Sequence, residues 1–152
     1  MTSLGEWMEH DHSRLDGLWE RAEQAGVRDR AGAASLYHQF ADGLIRHIAA
    51  EEELLFPFFE RYSGPHEPGL IDLLRREHEE IRESLAQLLD AVDLGRTDLG
   101  FAATALRNAL WAHNAREEGL LYPWFDPAIT DGSGRDLATQ MRERIDSNTP
   151  PL

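Results

Sequence analysis

The sequence contains no cysteine. Disulfides, thiolate zinc sites and cysteine-ligated iron–sulfur clusters are therefore excluded, and any metal must sit on nitrogen and oxygen. Positive charge is scarce as well: 15 basic residues against 28 acidic ones leave a net charge of −13. Nucleic acid and anionic membranes both select for basic surfaces, so neither is expected as a partner. The longest apolar run, Leu54 to Phe59, is far too short to span a bilayer. The N-terminus lacks a basic start followed by an apolar stretch, so no secretory signal is expected and a cytoplasmic location is the default. No stretch alternates with period two for long enough to suggest a sheet.

What remains is helical pattern. The 152 residues are enough to bury a core, and 41% hydrophobic with 28% charged residues is the composition of an ordinary globular protein. Leu4, Met8, Leu15, Leu18 and Trp19 recur at spacings near 3.6, as do Leu36, Phe40, Leu44, Ile48 and Leu55. The third and fourth stripes are Leu70, Leu74, Ile81, Leu85, Leu88 and Val92, then Leu106, Leu110 and Leu121. Breakers at Gly26 to Gly32, Ser63-Gly64-Pro65 and Gly95 to Gly100 leave segments near 4–25, 33–61, 68–94 and 101–126. A short amphipathic piece follows, with Leu137, Met141 and Ile145 on one side, and then a loose tail. The expected division is a bundle over 1–130, with 131–152 as the short C-terminal helix and tail.

The chain also repeats itself. A shift of 66 residues lays His12 on His78, His47 on His113 and Glu51 on Glu117, with Phe56-Pro57 on Tyr122-Pro123. Each half is a helical hairpin, and the two stack as an all-α, up-down-up-down four-helix bundle. The midpoints between successive histidines fall at 29.5, 62.5 and 95.5, each within a turn region. Helices rise by about 1.5 Å per residue, so residues equidistant from a turn stand at one height. His12, His47, His78 and His113 therefore form one layer. His47 and His113 are each followed four residues later by a glutamate, Glu51 and Glu117, on the same helix face.

Four imidazoles and two carboxylates thus converge on one slab. Burying two carboxylates without cations would cost several kcal/mol each or force protonation, and two carboxylates suit a pair of metal ions. Iron, manganese and zinc all accept such ligands. His10 and His38 point away from the layer, and His66 lies in a loop; all three read as surface residues. Glu52, Glu53 and Glu118 lie about 100° or more from the ligand face and read as a solvated edge. Asp11 and Glu77 either hold a ligand histidine by its second nitrogen or sit at the surface. The aromatic runs at 56–59 and 122–125 read as core, and Pro57 and Pro123 are expected to kink or end their helices. Tyr37 and Tyr122 either supply a proton near the metals or pack in the core.

These stretches, Asp11-His12, His47-Ile-Ala-Ala-Glu51 through Pro57, Glu77-His78 and His113-Asn-Ala-Arg-Glu117 through Pro123, resemble the hemerythrin-like, HHE cation-binding family. The resemblance spans about residues 8–125. It implies a non-heme di-iron centre bridged by Glu51, Glu117 and an oxo or hydroxo group, with the four histidines as terminal ligands. The oxygen-carrying members have a further histidine where this chain has Leu74, and an aspartate where it has Glu117. A four-histidine, two-glutamate set is closer to the bacterial members linked to nitric oxide and oxidative stress. It implies less fully ligated irons with room for water, O2, NO or peroxide.

Three functions follow. The first is a di-iron protein that binds or reacts with O2, NO or peroxide. The second is an iron- or oxygen-sensing binding module whose stability follows metal occupancy. The third is a structural di-zinc bundle without redox activity. The expected partner is a small diatomic or peroxide molecule, and the chain is expected to be a monomer or weak homo-oligomer.

Overall fold

The computed structural model describes residues 3–26, 28–63, 69–96, 98–128 and 132–146, and no strand occurs among them. Ser3 starts the first helix with a reciprocal cap: its hydroxyl accepts from the Glu6 N–H at 3.1 Å, and its own N–H donates to the Glu6 carboxylate at 2.9 Å. Helix α1 runs Leu4–Ala25 and ends on Gly26, whose φ of +42° suits a residue without a side chain. Asp29 caps the next helix by accepting from the Gly32 N–H at 2.9 Å.

That helix, α2, runs Arg30–Ala50. It passes through a π turn at Glu51–Leu55 into α3, Phe56–Tyr62. The second hairpin repeats the design: α4 is Leu70–Asp93, α5 is Gly100–Arg116, a second π turn is Glu117–Leu121, and α6 is Tyr122–Ala128. A final helix, α7, covers Gly132–Asp146. The four long rods pack as α1 on α2 and α4 on α5, with α2 against α4. A Cβ at Gly43 would meet a Leu15 methyl at 2.7 Å, so the glycine lets α1 and α2 approach closely.

The prolines do not end the helices. Pro57 and Pro123 are the second residues of α3 and α6, directly after the π turns. A proline lacks the N–H of the regular ladder, and its ring would press on the carbonyl four residues back. The widened i→i+5 turn relieves that contact, and the chain stays helical to Tyr62 and Ala128.

Two apolar clusters fill the bundle. One gathers Leu4, Met8, Leu55, Phe56, Phe59, Leu74, Leu121 and Phe125 at the π-turn end, and α7 closes it with Leu137, Met141 and Ile145. The other joins Leu15, Trp19, Phe40, Leu44, Ile48, Ile81, Leu85 and Leu106 at the opposite end. The aromatic runs are core as expected, Phe58 and Trp124 being only partly buried. His10 and His38 are exposed, and His38 pairs with Asp93 at 2.7 Å. His66 and the tail from 147 onward lie outside the described residues.

Candidate metal centre

Between the two clusters lies a polar slab. His12, His47, Glu51, His78, His113 and Glu117 are all buried there, both glutamates completely. In two sets, Glu51–His78–His113–Glu117 and His12–His47–Glu117, one ligand atom per residue lies within 4.8 Å of every other. The six residues singled out in the sequence are thus brought together.

The geometry divides the imidazoles by hairpin. Nε2 of His12 and Nε2 of His47 are 3.1 Å apart, and so are those of His78 and His113. Each glutamate reaches across both pairs. Glu51 Oε1 is 3.4 Å from Nε2 of His47 and 3.4 Å from that of His78. Glu117 Oε1 is 3.1 Å from Nε2 of His113 and 3.5 Å from that of His12. The 66-residue repeat maps each of these contacts onto another, so the site has an internal pseudo-twofold.

A ring of outer carboxylates holds the imidazoles from behind. His47 Nδ1 donates to Asp11 at 2.7 Å and His113 Nδ1 to Glu77 at 3.2 Å. His78 Nδ1 donates to Glu52 at 2.9 Å and His12 Nδ1 to Glu118 at 3.2 Å. Arginines anchor three of the four: Arg14 on Asp11, Arg116 on Glu77 and Arg82 on Glu52. Glu52 and Glu118 are therefore more than a solvated edge, although Glu118 stays 38% exposed. Each leans sideways onto a histidine of a neighbouring helix, a contact that depends on interhelical packing. Asp11 and Glu77 likewise serve His47 and His113 across their own hairpins, rather than the histidines beside them in sequence. The clue available in the sequence was the repeat itself, which carries all four acids in register.

Of the two tyrosines offered as proton donors or core residues, Tyr122 reaches the slab. Its hydroxyl donates toward Glu51 Oε2 at 3.0 Å and Glu117 Oε1 at 3.1 Å, and lies 3.3 Å from His12 Nε2. Its repeat mate, Phe56, stacks on His78 instead, with ring centroids 5.2 Å apart. Tyr37 is far from this slab and meets Trp19 edge-on in the other cluster. Burial, with the charges of Glu117 and Glu51, pushes the Tyr122 hydroxyl well above its ordinary range, so it keeps its proton.

These contacts specify what is missing from the protein's own atoms. A carboxylate only accepts, so an outer carboxylate behind every Nδ1 fixes the proton there and turns a lone pair inward at Nε2. Two such lone pairs then face each other at 3.1 Å in each pair. Glu51 Oε1 and Glu117 Oε2 are buried with no hydrogen-bond partner among the described residues. Only cations satisfy that arrangement. Protons are one kind. Burial disfavours charge on His12 and His78, but Glu117 beside the first and Glu51 and Glu52 beside the second raise both to about 9. His113 also rises, through Glu117, against its burial. Within the glutamate pair, burial and the charge of Glu117 push Glu51 up; burial acts the same way on Glu117, but His113, Glu51 and His12 together hold Glu117 well below its ordinary range. Divalent ions are the other kind, and imidazole with carboxylate is a donor set they accept. Leu74 and Met8, one turn before His78 and His12, are fully buried and offer no imidazole or carboxylate.

A buried histidine–carboxylate slab across a helical bundle defines a cation-binding protein. Residues 3–125 match the family model of the hemerythrin HHE cation binding domain, and the chain belongs to that family. It is also similar to an uncharacterized hemerythrin-like protein of Schizosaccharomyces pombe (strain 972 / ATCC 24843), at 24% identity over 139 residues covering 91% of this chain and 67% of that protein. No solved structure matches the chain.

Proposed function

We propose that this chain is a non-heme di-iron protein that binds or reacts with O2, NO or peroxide, acting in the cytoplasm in a gas or oxidative-stress response. The observation that carries this reading is the pairing of the imidazoles by hairpin, with each glutamate reaching both pairs. His12 and His47 would serve one ion, His78 and His113 the other, and Glu51 and Glu117 would hold both. When bound, an iron pair supplies electrons and open positions for a small ligand.

The chain's own residues do the rest. The outer carboxylates orient each imidazole and make it a better donor. The apolar clusters on either side exclude bulk water. Tyr122 holds a proton at its hydroxyl between Glu51 and Glu117, within reach of a small molecule at the His12–His47 side. Its missing counterpart at Phe56 makes the two halves chemically unequal.

The test is to purify the protein without added metal, quantify iron, zinc and manganese, and record the visible spectrum before and after reduction and re-oxidation. About two irons per chain with ferric charge-transfer absorption that bleaches on reduction supports the reading. Zinc alone, or no metal in a folded protein, rejects it in favour of a structural bundle or a sensor of occupancy.

A further inference from the structure

The pseudo-twofold is broken on one side of the centre. There a cleft of about 470 Å³ opens between α1 and α5, lined among others by His12, Asp16, Glu20, Trp111, Asn114 and Glu118. His12, buried and one of the six residues of the slab, is part of that lining. Among the described residues no arginine pairs with Asp16, Glu20 or Glu118. Arg107, the one arginine in the lining, is taken up by Glu23 at 2.5 Å.

The matching place on the other side is clamped. Arg82 holds both oxygens of Glu52 at 3.0 and 2.6 Å, and α2 packs on α4 there more closely than α1 does on α5. The repeat shows what changed. Asp16 stands where Arg82 would be, and Trp111 and Asn114 stand where Ile45 and Ile48 would be. Glu118 therefore supports His12 without the clamp that Glu52 has.

We propose that the α1–α5 cleft is the route by which divalent cations reach the centre, passing Asp16, Glu20 and Glu118 to His12. This rests on the metal centre proposed above. With four carboxylates against one arginine in its lining, the cleft is net negative, and such a field raises the local concentration of cations and their arrival rate. Carboxylate and amide oxygens replace water around a divalent ion. Beyond His12, Glu117 Oε1 lies 3.5 Å from its Nε2, and the other oxygen of that buried carboxylate has no hydrogen-bond partner among the described residues, which draws a cation inward.

Stopped-flow uptake of Co2+ tests this, using chelator-stripped protein that keeps its far-UV helix signal. Asp16→Arg, at an exposed position on α1, adds the clamp that Arg82 provides on α4. It is expected to slow second-order uptake at low salt about tenfold or more, with Asp16→Asn intermediate. The gap should close in high salt while the final Co2+ per chain stays at the wild-type value. Glu83→Arg makes the same charge change on the exposed face of α4 and is expected to stay within about twofold of wild type. An unchanged rate in Asp16→Arg, or equal slowing in Glu83→Arg, overturns the route while leaving the centre intact. Wild-type protein that binds no Co2+ at equilibrium overturns the centre and the route together.

Discussion

Each of the four imidazoles is held the same way, with Nδ1 against an outer acid and Nε2 turned inward, so the outer acids ought to govern affinity as much as the ligands do. Asp11 is the strongest case. It accepts from His47 at 2.7 Å and is itself tied to Arg14; burial alone would raise its carboxyl, but His47 and Arg14 hold it below the usual range. Asp11→Ala is expected to weaken metal binding by about 10–100-fold, read by competition against a chelator of known affinity. An affinity near wild type would mean packing alone orients His47. Tyr122→Phe asks a different question, since it restores the symmetry with Phe56. The metal content should be retained, and the rate at which the reduced protein reacts with peroxide should fall about tenfold or more, in line with the loss of a positioned proton donor. An equal rate would remove Tyr122 from the chemistry. The six inner residues were legible because spacing along one helix fixes their face. Asp11 and Glu77 were legible as histidine supports or surface residues, and Tyr122 as a proton donor or a core residue; Glu52 and Glu118 were not legible as supports, because angles measured around a single helix say nothing of how far either leans onto the next one.

At the scale of elements, the stripes placed every long helix within a few residues, including α7 from Leu137, Met141 and Ile145. Two features escaped. The π turns leave no mark in composition; they begin at Glu51 and Glu117 and end just before a proline, where a widened turn answers a steric demand. The prolines themselves suggested kinks or helix ends because a regular ladder was assumed, and the chain in fact continues as helix past both. The last helix adds no ligand, yet it closes the cluster that backs the π-turn end of the slab, with Arg46 donating to the Ile145 carbonyl at 3.2 Å and Arg144 to Glu53 at 3.0 Å. Met141 is completely buried in that cluster. Met141→Ala is therefore expected to destabilise the protein by about 2–5 kcal/mol in denaturant titrations without changing metal stoichiometry. Loss of metal in a variant that still folds would show that α7 supports the centre directly.

For the whole molecule, two repeated hairpins each contribute half of a layer of negative charge that the fold cannot leave uncompensated. Metal ions and protons compete for that layer, which makes stability depend on pH in opposite senses with and without metal. In metal-free protein His12 and His78 titrate at about 9, against 6.5 when unfolded. The folded state then binds protons that the unfolded chain has already released. Their contribution is full below pH 6.5, declines as pH rises, and is gone above about 9. With metal bound, the inward nitrogens are occupied and cannot take protons, while competition from protons weakens as pH rises. Thermal melts across this window should show the Tm of chelator-treated protein falling with pH while that of metal-loaded protein holds or climbs, so the gap between them widens. Parallel curves would mean the slab's charge is balanced by neither ion nor proton, and the reason for burying Glu51 and Glu117 together would have to be sought elsewhere.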